Sequence, residues 1–150
     1  MSNDMIITDL AADNQGAALT EIASFLAKKG VVSRPEDVVE KLIQREKLGT
    51  TGVGKGFAIP HCKIKGVQTP LVVLAVSRKG VEFKSLDGKP AHVVFLVVAP
   101  PDNPGSSLQV LAVISHLIRG AASLQKKLLA ARNAGRMMDI IREEEERIYA

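Results

Sequence analysis

His61 is the side chain in this sequence best placed to do chemistry. It closes the run Gly56-Phe57-Ala58-Ile59-Pro60-His61, a short apolar segment issuing from a glycine-rich loop. A neutral imidazole, with a reference pKa of about 6.5, carries a free lone pair near neutral pH and can attack phosphorus. Upstream, Arg45-Glu46-Lys47-Leu48-Gly49-Thr50-Thr51-Gly52-Val53-Gly54-Lys55 supplies cations, hydroxyls and glycines. A phosphoryl group in transfer spreads negative charge over its equatorial oxygens, so a site for it needs positioned donors and cations more than bond-making machinery. Arg45 offers a planar fork for two oxygens and Lys55 a mobile point charge. The Thr50 and Thr51 hydroxyls and loop N–H groups such as that of Gly52 can donate the rest, with glycine letting the backbone approach closely. The expectation is phosphoryl transfer through His61, with Arg45, Thr51, Gly52 and Lys55 around the phosphate.

The other candidates read as structural. His92 opens an apolar strand and His116 sits at helical spacing from Ala112 and Gly120, where a half-exposed imidazole is ordinary. Cys62 is alone, which excludes a disulfide framework or a cysteine cluster for zinc within the chain. It reads as a small packed side chain. A redox role, or a metal held jointly with His61, is the alternative, against which adjacent residues of an extended chain point apart. The segment Gly49-Thr50-Thr51-Gly52-Val53-Gly54-Lys55-Gly56 nearly matches the phosphate loop G-x-x-x-x-G-K-[ST], but Gly56 stands where a hydroxyl would hold magnesium. That loop should also join a strand to a following helix, and here a predicted helix precedes it. A nucleotide triphosphatase is not expected.

The elements that must position His61 are legible around it. Ala18, Leu19, Ile22, Phe25 and Leu26 recur at helical spacing, with Asp13 or Asn14 as cap and Gly30 as stop, predicting a helix over 15–29. Ser33 with Glu36 has capping-box spacing before Val38, Val39, Leu42 and Ile43, predicting a second helix over 35–47. Residues 71–76 and 93–98 are continuous β-prone runs, expected as central strands covered on both faces. Turn residues at Arg78-Lys79-Gly80 and 86–90 would leave Val81-Glu82-Phe83 as a short edge strand. After a loop at 100–105, Ser106 and Gln109 suggest a capped third helix ending near Gly120, followed by helices over 122–133 and 136–147. The run Glu143–Glu146 reads as a solvated helical face or frayed end.

With 150 residues, 46% of them hydrophobic, the chain is long enough for one domain, 1–150, with a core of its own. The net charge is +4, but the basic residues are scattered and aromatics make up only 3%, so a nucleic-acid surface is not expected. No run approaches the roughly 18 apolar residues of a membrane span, and the N-terminus lacks a cationic segment leading into an apolar one. With one cysteine, the expected setting is a reducing cytoplasm.

Taken together, Arg45-Glu46-x-Leu48-Gly49-Thr50-Thr51-Gly52-Val53-Gly54-Lys55-Gly56-Phe57-Ala58-Ile59-Pro60-His61 resembles the motif of the fructose/mannitol-type enzyme IIA domains of the bacterial sugar phosphotransferase system. The similarity extends from the first helix to the last and includes Gly80-Val81-Glu82-Phe83 and Asp87-Gly88-x-Pro90. It implies an α/β sandwich, a mixed and mainly parallel sheet flanked by helices. It also implies that His61 takes phosphate from the phosphohistidine of a carrier such as HPr, with Arg45 matching the phosphate-contacting arginine and 51–56 the rim of the site. No nucleotide, metal or other cofactor is implied.

One departure stands out. Family members commonly carry a second active-site histidine in a His-Leu pair at the start of the helix after the proline-rich loop, where this chain has Ser107-Leu108. Ser107 at a helix N-terminus could bind phosphate oxygens through its hydroxyl and backbone, or simply cap. Within the family some domains pass phosphate to a sugar-transporting IIB domain, and free-standing nitrogen-regulatory relatives control partner proteins through their phosphorylation state. The expectation is a regulatory phosphocarrier. The alternatives are a transport component serving IIB, and a binding module with impaired transfer.

Overall fold

The structure, a computed structural model, describes residues 3–120 and 123–149. A 3-10 turn, Asn3–Met5, leads into β1 (Ile6–Ile7), α1 (Gln15–Lys28), α2 (Pro35–Lys47), β2 (Gly52–Gly54), β3 (Phe57–Ala58) and β4 (His61–Lys63). Then follow β5 (Leu71–Val81), β6 (Ala91–Ala99), α3 (Pro104–Gly120), α4 (Leu124–Ala130) and α5 (Ala134–Tyr149). The sheet runs β1-β5-β6-β3-β2, and β4 also pairs with β6. The long β5–β6 ladder and the short β2–β3 pair are antiparallel, whereas β1–β5, β3–β6 and β4–β6 are parallel. This is the mixed, mainly parallel sheet flanked by helices that the resemblance implies.

The side-chain alternation of the central ladder explains why helices cover both faces. Val73, Ala75, Val94, Leu96 and Val98 pack with Leu19, Ile22 and Leu26 of α1 and Val38 and Leu42 of α2. Leu74, Val76, Val93, Phe95 and Val97 pack on the other side with residues of α3, α4 and α5, among them Ile114, Leu128 and Ile141. A period of two on each strand thus feeds two apolar layers, and the continuous β-prone runs are central strands. Phe57 of β3 stacks on Phe95 at 6.4 Å between ring centres, fixing the approach to His61 against the sheet.

Several local expectations are corrected. The segment at Arg78-Lys79-Gly80 is not a turn. The β5 strand continues to Val81 through a register break after Val76, with the Gly80 N–H donating to Ser77 Oγ at 3.0 Å. Gly80 has φ +91°, and a Cβ there would lie 2.9 Å from the Pro90 ring, so only glycine fits this bulge. No separate edge strand therefore exists at 81–83: Val81 ends β5, Phe83 is fully buried, and Glu82 forms an isolated bridge with Asn14.

Asn14 does cap α1, its side chain accepting from Ala17 N at 3.0 Å. Ser33 does not cap α2. Pro35 takes the first helical position, which moves the cap to Arg34, whose guanidinium reaches Glu36 and Asp37 instead. Helix α3 begins at Pro104, ahead of the expected Ser106 cap, so Ser106 and Ser107 lie inside its first turn. The predicted helix over 122–133 is the shorter α4, and residue 122 lies outside the described residues. The glutamate run is not wholly solvated: Glu144 is 4% exposed, held by Lys127 at 3.4 Å and Arg147 at 2.8 Å. No single helix among the described residues is long and apolar enough to cross a membrane.

Candidate functional site

The chain from Gly56 to Lys63 runs alongside β6 and delivers His61 to the surface. Gly56 O accepts from His92 N and Val93 N at 2.8 and 3.0 Å, and β3 then pairs with Val93 and Val94. Pro60, which has no N–H to give, interrupts the ladder, yet its carbonyl accepts from Val97 N at 2.9 Å. Pairing resumes in β4, with His61 opposite Val97. The last turn of α2 packs against β4 and presents Arg45 to the imidazole.

Two contacts define the chemical state of His61. Its Nδ1 lies 2.8 Å from the carbonyl oxygen of Ile59, and a carbonyl can only accept, so Nδ1 carries the proton in the neutral ring. The lone pair is then on Nε2, which accepts a long hydrogen bond of 3.3 Å from Arg45 Nε. Arg45 is itself anchored by Nη1 donating to Gly49 O at 3.0 Å. The half-buried imidazole thus presents a nucleophilic nitrogen outward with a guanidinium beside it, where an incoming anion would meet both.

Of the residues expected around a phosphate, the structure brings Arg45 and His61 together and gives the others different surroundings. Thr51 is buried and faces inward, its N–H and hydroxyl donating to Glu46 Oε1 and Oε2 at 2.8 and 2.6 Å. Gly52 N–H donates to Thr50 Oγ1 at 3.0 Å, its carbonyl accepts from Leu86 N, and a Cβ there would lie 2.9 Å from Ser85 Cα. Both are builders of the loop rather than free donors, because its polar groups are satisfied within the protein. Lys55 adopts φ +59° and its N–H donates to Asp87 Oδ2 at 3.0 Å, with its side chain exposed. Ser107 Oγ donates to Pro104 O at 3.0 Å within the first turn of α3 and makes no hydrogen bond to His61.

The residue that reading by type missed is Glu46. Besides both Thr51 groups it accepts from Gln15 Nε2 of α1 at 3.0 Å, so one carboxylate ties two helices to the loop. The connection continues to the imidazole: Thr51 O accepts from Ile59 N at 2.9 Å, and Ile59 O sets the His61 tautomer. The adjacency of Arg45 and Glu46, one turned to the histidine and the other to its loop, was visible in the sequence without revealing that division.

An open cleft of about 500 Å³ borders His61, lined by Lys41, Gln44, Arg45, Leu48 and Lys63. Cys62 also borders this cleft and packs against the α1–α2 apolar layer. Burial pushes its thiol up to about 12, the nearby Lys41 charge opposing in part. That suits a packed side chain rather than a reactive thiolate. Among the described residues no group of three or more His, Cys, Asp or Glu side chains is placed to hold a metal ion. His92 Nδ1 lies 2.8 Å from Ser77 O, and His116 stacks on Tyr149 at 6.0 Å, both away from the cleft.

The chain is similar to known proteins in sequence and fold. A nitrogen regulatory protein of Bradyrhizobium diazoefficiens is 36% identical over 138 residues, spanning 92% of this chain and 89% of that protein. The fructose-specific EIIABC component of Bacillus subtilis is 34% identical over 123 residues, or 82% of this chain, which spans only 19% of that longer protein. The crystal structure of the nitrogen regulatory protein IIA-Ntr from Neisseria meningitidis superposes with a TM-score of 0.80 at 29% identity, covering 93% of this chain and 94% of that one. The family model of the phosphoenolpyruvate-dependent sugar phosphotransferase system, EIIA 2, matches residues 1–144, and the chain belongs to that family.

Proposed function

We propose that this protein is a cytoplasmic phosphocarrier that accepts a phosphoryl group on His61 Nε2 from an HPr-type phosphohistidine and acts mainly in regulation. The observation that carries this is the pair of contacts on one imidazole: a backbone carbonyl that pins the proton on Nδ1, and Arg45 beside the free lone pair on Nε2. In the step, the Nε2 lone pair forms a bond to phosphorus as the phosphorus–nitrogen bond of the carrier breaks and its electron pair returns to the carrier's imidazole. The Nδ1 proton stays on the Ile59 carbonyl side. Arg45 turns from Nε2 to the phosphoryl oxygens, whose negative charge it matches better than a neutral ring. No nucleotide or metal enters the balance.

The regulatory branch is favoured by the nitrogen regulatory relative, which this chain matches over nearly the whole of both lengths. Phosphorylation would add roughly two negative charges to the His61 face near pH 7, enough to recruit or repel a partner protein. A transport role, passing the group to a IIB domain, is the second reading. It draws support from the Bacillus subtilis relative, whose name joins an A part to B and C parts. The third, a binding module with impaired transfer, draws on Ser107, which stands at the second histidine's position with its hydroxyl turned to Pro104.

Intact-mass measurement after incubation with phosphoenolpyruvate, enzyme I and an HPr-type carrier tests the proposal. An acid-labile phosphoryl group on the wild type, absent from His61→Ala, is the expected result. No transfer to folded wild type from either a sugar-branch or a nitrogen-branch carrier would leave the binding-module reading in its place.

A further inference from the structure

Where α4 ends and α5 begins, the surface holds a cavity of about 520 Å³. Among the described residues every charged side chain that lines it is a cation: Lys127 of α4, Arg132 of the connecting loop and Arg136 of the first turn of α5. Ala130, Ala131 and Ile140 give it an apolar wall. The corner is braced by Arg78 of β5, whose Nη2 donates to Ala131 O at 2.7 Å and Nη1 to Thr8 O at 2.9 Å. It lies well away from the phosphoryl site. His61 pairs with Val97, which faces Val72, and from Val72 to Arg78 is about 20 Å at the rise of an extended strand.

Each of the three cations has donors to spare. Arg132 is exposed and has no hydrogen-bond or ion-pair partner among the described residues. Arg136 meets Glu143 at 3.4 Å with the two side chains 53% and 60% exposed, a pair that water screens and that holds the guanidinium weakly. Lys127 has one contact, Glu144 Oε1 at 3.4 Å, and the ammonium carries further N–H groups. Glu144 is also held by Arg147 Nε and Nη2 at 3.1 and 2.8 Å, so a turn of Lys127 into the cavity would not strand that buried carboxylate. Asp139 and Glu143, the other acidic residues of this part of α5, are exposed and do not line the cavity. The end of α5 is already capped, with Asn133 Oδ1 accepting from Arg136 N at 2.8 Å, so the donors on offer are the side chains.

A concavity lined by one sign of charge focuses its field and concentrates counter-ions. Its surroundings favour a small ligand over a macromolecule. The large apolar side chains that this protein exposes among the described residues are Ile43, Leu48, Val53, Leu86, Leu108 and Tyr149, and none of them lines the cavity, so a protein partner would find no apolar centre to desolvate there. No aromatic ring lines it for a nucleic-acid base to stack on. Two guanidinium forks and an ammonium, reaching one cavity from three places on the chain, suit a tetrahedral group that accepts from several directions better than a planar carboxylate. We infer that this corner binds a small organic phosphate carrying two or more negative charges, its phosphate held by Arg132, Arg136 and Lys127 and its organic part lying on the apolar wall. The site is independent of the chemistry at His61.

Amide proton–nitrogen NMR of the full chain, titrated with ADP, pyrophosphate or citrate at about 100 mM KCl to screen diffuse attraction, tests this. Saturable shifts centred on residues 127–136 are expected with ADP and pyrophosphate, at a Kd of about 1 mM or tighter, and citrate should bind about tenfold more weakly. Arg132→Gln/Arg136→Gln, whose own spectrum reports its fold, should weaken ADP about tenfold or more, while His61→Ala should leave the Kd within about twofold. The inference is overturned by any of four results: no saturable shift at 127–136 up to about 10 mM ligand, shifts centred instead on the His61 cleft, citrate binding as tightly as ADP, or an unchanged ADP affinity in the double variant. Pyrophosphate binding without ADP binding would overturn the organic half of it.

Discussion

Replacing Glu46 with alanine should loosen the loop that orients His61, and the size of the effect can be worked from its contacts. The carboxylate accepts from Thr51 N at 2.8 Å, Thr51 Oγ1 at 2.6 Å and Gln15 Nε2 at 3.0 Å. Thr51 is only 4% exposed, so truncation strands its N–H at a cost of about 1–3 kcal/mol and forfeits a charge-assisted hydroxyl bond of similar size. Glu46 itself is half-buried, and water entering the vacated space recovers part of this, leaving about 2–4 kcal/mol. For a chain of this length that lowers Tm by about 5–15 °C. Glu46→Gln gives the contrast. Its amide oxygen can still accept from Thr51 N while its NH₂ donates to a reoriented Thr51 hydroxyl, so only charge assistance is lost, about 1 kcal/mol. Urea or thermal unfolding measures both. Because Thr51 O holds Ile59 N, the alanine variant should also relax the tautomer, visible as a second imidazole species in two-bond proton–nitrogen NMR correlation. Equal stabilities for the two variants, or an alanine cost below about 0.5 kcal/mol, would refute the clamp.

Three further outcomes follow from single side chains. Burial alone would push the Glu144 carboxyl up, but the hydrogen bonds and charges of Arg147 and Lys127 outweigh it and hold the group below its ordinary value. A carboxyl held low in the folded chain stabilises above the unfolded value of about 4.3 and loses that contribution as pH falls through its folded value, so Glu144→Gln should flatten the acid limb of urea-unfolding stability; an unchanged limb counts against the pairing. With its thiol raised to about 12, Cys62 should react with iodoacetamide at pH about 8 at least about a hundredfold more slowly in the folded protein than in urea, and comparable rates would show an open thiol. Ser107→Ala removes a hydroxyl bonded to Pro104 O, so transfer to His61 should change by less than about threefold and stability by about 0.5–1 kcal/mol, whereas a tenfold fall in transfer would make that hydroxyl a phosphate ligand.

Which parts of this protein could be read from sequence depended on how far each signal extends along the chain. The α1 and α2 helices and the β5–β6 pair announced themselves because their apolar periods run long enough to distinguish helix from strand. By contrast β1, β2 and β4 are two or three residues each and have no period to detect. Residues 78–80 misled because the glycine that serves a bulge also serves a turn, and only the opposing strand decides which. Ser33 and Glu36 had the spacing of a cap, but Pro35 fixed the first helical position and displaced it. At the site, His61 and Arg45 were legible because their chemistry resides in their side chains. The Ile59 carbonyl was not, since every residue has one, and neither was the inward turn of Thr51 and Gly52, which depends on Glu46 reaching across the end of α2.

The resemblance implies a second histidine where this chain has Ser107. A transfer site asks that its nucleophilic nitrogen be unprotonated, that the ring be held still, and that charge arriving on phosphorus find a cation. In this fold the first two demands are met by the backbone, through Ile59 O on Nδ1 and the pairing of His61 with β6, and the third by Arg45. None of them passes through α3, where Ser107 keeps its hydroxyl bonded within its own helix. A second imidazole at that position would add a donor to the phosphoryl oxygens without altering which nitrogen of His61 attacks. On the proposed phosphocarrier reading, serine at that position would therefore touch the strength with which the phosphoryl group is held after transfer more than the ability to accept it. On that reading, the expected outcome is a phosphorylated state of shorter lifetime, formed at the same nitrogen.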